Sequence, residues 1–157
     1  MPEKAPEKQL TEFMSKYTPE IRSLANEVLE KMRKRLPGSV ELVYDNYNAL
    51  VVGFGPSERA SDAIFSIALY PRWINLFFLD GVALPDPEKL LQGSGKIVRS
   101  IMLKDAATLD RPAVRSLMSE AVKRADTPID KKSARRLIIK SISAKQRPRR
   151  PSGKAVS

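Results

Sequence analysis

Between Trp73 and Leu103 the chain spells out a strand, a sharp turn, a capped excursion and a second strand, and this segment narrows the folds open to the rest. Ile74 to Leu79 is an apolar run rich in the aromatic and branched residues that suit a pleated surface. Asp80-Gly81 ends it with turn chemistry. In Pro85-Asp86-Pro87, Asp86 is suited to cap a helical turn and Pro87 to its first position, where no amide hydrogen is needed. Gly93 stops that turn, and Lys96 to Leu103 read as the next strand.

The flanks carry a different period. Leu10, Phe13, Met14 and Tyr17 recur at helical spacing, and Thr18-Pro19 then caps a longer helix. Its stripe runs through Ile21, Leu24, Ala25, Val28, Leu29, Met32 and Leu36, and Pro37-Gly38 ends it. Lys31, Arg33, Lys34 and Arg35 complement the negative end of that helix. Strands follow at Val40 to Tyr44 and Ala49 to Phe54, and a hairpin joins Ala63–Tyr70 to Trp73–Leu79 through Pro71-Arg72. Asp110 is placed to cap a last helix whose stripe is Val114, Leu117, Met118, Ala121, Val122 and Ala125. The pattern predicts an α+β body: an antiparallel sheet of five to six strands with helices packed on one face. Leu137 to Ile142 supplies the sixth strand at the sheet edge. The chain divides into a body over 1–126, a basic extension over 127–144 and a basic tail over 145–157. That tail has no apolar periodicity and is expected to be disordered.

Two stretches carry a resemblance. LDGVALPDPEKLLQGSGKIVRSIML (Leu79 to Leu103) and YDNYNALVVGF (Tyr44 to Phe54) resemble the YdhG-like family of small bacterial domains of unknown function. The likeness covers about Leu10 to Ala125. It implies a frataxin-like two-layer sandwich, and one member of the family has been described as an iron chaperone.

Composition removes several chemistries. There is no cysteine and no histidine, so disulfides, thiolate sites, imidazole ligands and the usual neutral-pH proton shuttle are all excluded. Neither a signal-peptide core nor an apolar run long enough to span a bilayer is present, so the expected setting is cytoplasmic, without a membrane partner. The net charge of +10 is uneven: residues 1–126 hold 18 basic and 17 acidic side chains, residues 127–157 hold 10 basic against Asp130 alone. Such asymmetry marks an interaction tail.

Gly93-Ser94-Gly95-Lys96 is not a phosphate loop, because Ile97 follows the lysine and a strand follows in place of a helix. Alternation places Arg99 on the face of Ile101 and Leu103, where a guanidinium needs a partner, with Asp86 or Asp45 expected. The densest polar and aromatic cluster is Tyr44, Asp45, Asn46, Tyr47 and Asn48, which suits a shallow ligand pocket. Trp73, Asp86, Lys96 and Arg99 complete the candidate ligand-binding set. For nucleic acid the candidates are Arg135, Arg136, Lys145, Arg147, Arg149 and Arg150, which attract polyanions in a salt-sensitive way. Glu20, Glu27 and Glu30 on the long helix are interleaved with basic residues, a poor match to an acidic iron-binding ridge, and Glu27 is spaced to pair with Lys31. No catalytic residue, metal site or cofactor is indicated. The expected function is a non-catalytic binding module for an unidentified small ligand or protein; the alternatives are a nonspecific nucleic-acid-associated protein acting through its tail, and an iron chaperone.

Overall fold

Thr18 Oγ1 accepts the Ile21 amide at 3.3 Å and Pro19 follows it, so the long helix starts where its capping chemistry directs. In the computed structural model, which describes residues 5–151, this helix is α2 (Pro19–Arg35), after α1 (Pro6–Met14). The strands are β1 (Val40–Asp45), β2 (Leu50–Gly55), β3 (Phe65–Leu69), β4 (Ile74–Phe78) and β5 (Arg99–Leu103). Then come α3 (Pro112–Arg124) and β6 (Arg136–Ile142), with 3-10 turns at Ala60–Asp62 and Ala106–Asp110.

The six strands form one sheet in the order β5-β4-β3-β2-β1-β6. β1 to β5 are antiparallel neighbours, as a chain of hairpins requires. β6 pairs parallel to β1, with Arg136 opposite Val40 and Ile142 opposite Asp45, so the sheet is mixed and not purely antiparallel. The reason lies in the connection. α3 carries the chain back to the end at which β1 begins, and a strand entering there must run the same way as β1. Lys140 is an extra residue in this ladder, between the Val43–Ile139 and Tyr44–Ser141 pairs.

Register sorts the strand residues into two faces. Val43, Val52, Ile67, Leu76 and Ile101 stand in one row, and Leu50, Leu69, Ile74 and Leu103 in the next. These residues share one core cluster with Leu10, Phe13, Tyr17, Val28, Met32, Val114 and Leu117 of the helical layer. All three helices therefore cover the same face. Phe65 and Phe78 meet edge to face at 5.5 Å within that core. The opposite face carries Tyr44, Val51, Ala68, Asn75 and Met102 across five strands. Gly55 lets the 56–64 loop cross β2, since a Cβ there would lie 2.8 Å from Ala63 Cα.

Four local expectations need correction. Asp86 does cap, accepting the Leu90 and Leu91 amides at 2.9 and 2.8 Å, but Lys89 sits at φ +54° and no helix follows. Asp110 does not cap α3, whose N-cap Arg111 makes no side-chain capping hydrogen bond. It receives Lys31 at 2.6 Å, Arg35 at 3.0 Å and Arg115 at 3.4 Å, and the hydrogen bond from Lys31 holds its carboxyl below the usual range. Lys31 thus reaches Asp110 and not Glu27. Finally, residues 145–151 are not a free tail: they lie against the β1–β2 turn and the end of α1, held by hydrogen bonds. Residues 152–157 of the expected disordered stretch fall outside the described residues.

Candidate functional site

The two carboxylates of β1, Glu41 and Asp45, point inward with Val43, and both are fully buried. Each needs a cation. Glu41 takes two bonds from Arg33 Nε, at 3.0 and 3.2 Å, and one from Arg33 Nη2 at 2.8 Å, with Arg135 Nε at 3.4 Å. Burial works against the Arg33 charge, but the hydrogen bonds and charge of Glu41 outweigh it and raise its pKa. Asp45 takes Arg149, whose side chain is 3% exposed. Arg149 Nη2 donates to Asp45 Oδ1 at 2.9 Å and to the Asn46 carbonyl at 2.5 Å. Its guanidinium sits 5.8 Å from the centre of the Tyr17 ring. Asp45 Oδ2 and Arg149 Nε make no hydrogen bond; Lys16 Nζ stands 3.6 Å from the former.

Tyr17 ties this cluster to the sheet. Its hydroxyl donates to the Leu69 carbonyl at 2.8 Å and accepts the Leu50 amide at 3.1 Å. Burial pushes the phenol up to about 12, partly offset by Arg149 and the Leu50 amide, so it stays protonated and able to donate. The following segment straps across the turn. Arg147 N–H reaches the Tyr47 carbonyl at 2.8 Å, Gln146 Nε2 the Asp45 carbonyl at 3.1 Å, and Arg150 Nε the Lys16 carbonyl at 3.1 Å, at the negative end of α1. The strap lies against the Asp45, Asn46 and Tyr47 carbonyls, within the Tyr44 to Asn48 stretch where a pocket was expected. A groove of about 380 Å³, floored by Leu36, Met118, Val122 and Ile129, lies instead between α2 and α3.

Register divides the expected ligand-binding residues between opposite ends of the sheet. Tyr44, Asp45, Tyr47 and Asn48 lie at the end where β1 turns into β2, and Trp73 lies at the same end, in the β3–β4 turn. Asp86, Lys96 and Arg99 lie at the other, with Arg99 opposite Phe78. Arg99 does face the helical side, but the expected carboxylate partner is absent. Its Nη1 donates to the Gly95 and Val98 carbonyls at 2.7 and 2.8 Å, a requirement that main-chain oxygens meet as well as an acid. Asp45 lies four strand spacings across the sheet, about 19 Å, and at the opposite end of the strands as well. The basic candidates divide too. Arg135 binds Glu7 at 2.6 Å, and Arg136 binds Glu58 at 2.5 Å, holding that carboxyl below its usual range. Arg149 is buried, which leaves Lys145, Arg147 and Arg150 exposed.

What emerges is one crowded end. All four tyrosines (Tyr17, Tyr44, Tyr47, Tyr70) and the single tryptophan of the chain lie there. Tyr70 and Trp73 stack at 5.2 Å between ring centres with planes 24° apart; Trp73 is 41% exposed and Tyr47 52%. Lys16, Arg72, Lys104, Lys145, Arg147 and Arg150 surround them, against Glu12, Glu20 and Asp105 and the neutralised Asp45. The sequence reading missed Tyr17, Tyr70, Lys16 and Lys104. The signal for Tyr70 was its place beside Trp73 in one hairpin; Tyr17 was absorbed into a helical stripe. Set against protein-family models, curated proteins and solved structures, the chain gives no match in any of the three comparisons.

Proposed function

We propose that this chain is a non-catalytic binding module of the YdhG-like type, built on a frataxin-like two-layer sandwich, that engages an anionic partner through the hairpin end of its sheet. The observation carrying this reading is the gathering of every tyrosine, the tryptophan and six exposed cations at that end. The basic extension contributes to it as a fixed part of the surface, not as a free arm: Arg149 anchors the strap and Lys145, Arg147 and Arg150 are presented by it. No helix among the described residues is long and apolar enough to cross a membrane. The iron-chaperone alternative gains nothing from the long helix, where Glu30 pairs with Lys34 at 3.6 Å.

Titration with inorganic polyphosphate, followed by the fluorescence of Trp73 and by thermal shift, tests the reading. Binding should weaken steeply with salt and fall when Arg72 and Arg147 are both changed to alanine. Absence of binding at low salt, or binding indifferent to that double change, would overturn it.

A further inference from the structure

We infer that the ligand of this surface is single-stranded nucleic acid, its bases stacked on the aromatic residues at the hairpin end of the sheet, on the side away from the helices, and its phosphates held by the surrounding cations. This deepens, and rests on, the reading of the hairpin end as an anion-binding surface. Tyr44 stands on the face away from the helices, and Tyr70 and Trp73 continue that face beyond Ala68 and Asn75 by the alternation of β3 and β4. Tyr70 and Trp73 are already stacked, which shows a flat ring surface presented at low conformational cost. From Tyr44 on β1 to Trp73 beside β4 is three strand spacings, about 14 Å, and open sheets of such width stack two or three bases on their aromatics.

The cations complete the match. Arg72 lies in the turn between the two stacked rings, and Lys104 follows β5 just beyond the Ile74–Leu103 pair. Lys145 and Arg147 are carried by the strap, whose Arg147 amide bonds the Tyr47 carbonyl. None of these four has an ion-pair partner among the described residues, in contrast to Arg135 and Arg136. A polyanion without rings would use the cations and leave the aromatics idle. A duplex would offer phosphates but keep its base faces covered. Only an unpaired strand uses both features, and stacking makes the recognition tolerant of sequence.

The test compares three probes of equal length: labelled oligo(dT), an abasic oligomer with the same phosphates, and a duplex. Oligo(dT) should quench Trp73 and bind about tenfold more tightly than the abasic strand. Its log affinity should fall against log salt by about 0.7 per phosphate contacted. Trp73→Ala should cost oligo(dT) about tenfold and the abasic strand nothing, whereas Trp73→Phe should retain binding. Arg72→Ala with Arg147→Ala should weaken both strands alike. Equal affinity for oligo(dT) and the abasic strand overturns the stacking inference while leaving anion binding in place. Tighter binding of the duplex overturns it too, and binding of none of the probes at low salt removes both readings.

Discussion

Replacing Arg149 with methionine should destabilise the whole domain, although the residue lies in a stretch with no secondary structure of its own. The change keeps most of the side-chain stem and removes the charge. Asp45, fully buried, is then left with Lys16 Nζ at 3.6 Å as its nearest cation. Removing one partner of a buried pair costs about 3–5 kcal/mol. For a chain of this size each kcal/mol is worth about 2–4 °C, so the melting temperature should drop by roughly 6–20 °C. Urea unfolding followed by circular dichroism should show a lower midpoint with an unchanged slope. Asp45→Asn should cost less than Arg149→Met, and the double variant less than the two singles together, because the unpaired charge is gone. A chain ending at Ala144 should lose as much as Arg149→Met, since it removes the same guanidinium. Should Arg149→Met fall within about 1 kcal/mol of the parent, the strap is not anchored as described.

Glu41→Gln should cost about 3 kcal/mol in the same assay, because Arg33 would keep its place but lose its counter-charge. Leu117→Ala, at a buried position, should cost about 2–5 kcal/mol, whereas Leu24→Ala, only partly buried, should cost about 1 kcal/mol; equal losses would mean the two stripes are packed alike. Folding holds the Tyr17 proton up to about pH 12, while the unfolded chain releases it near 10. The contribution is therefore complete below pH 10 and is lost as pH rises through 12. Tyr17→Phe should remove that part of the alkaline decline, and parallel declines in parent and variant would refute the assignment.

The layered body was legible because its signals are local. Thr18-Pro19, the α2 stripe and the alternation of Phe65, Ile67 and Leu69 each need only a few neighbouring residues. The parallel pairing of β6 was not, since direction depends on where α3 delivers the chain. The strap was missed for a related reason. Lys145 to Pro151 has no periodicity, and what orders it is a charge 104 residues away. A trace did exist: Glu41, Val43 and Asp45 alternate onto one face, and two acids sharing a face with valine in a strand demand cations from elsewhere. Arg99 shows the converse, where the face was read correctly but main-chain carbonyls took the place of an acid.

The buried acids of β1 also bear on how the chain matures during synthesis. Glu41 can meet Arg33 early, since only eight residues separate them. Asp45 must wait for Arg149, and at 5–20 residues per second the ribosome needs roughly 5–20 s to make the intervening length. Until then Asp45 on the inner side of β1 is answered only by the exposed Lys16 at 3.6 Å, and the hairpins beside it can assemble but not seal over it. Completion of the sheet is thereby tied to the arrival of one arginine, and a chain stalled before that point is marked as unfinished by its own electrostatics.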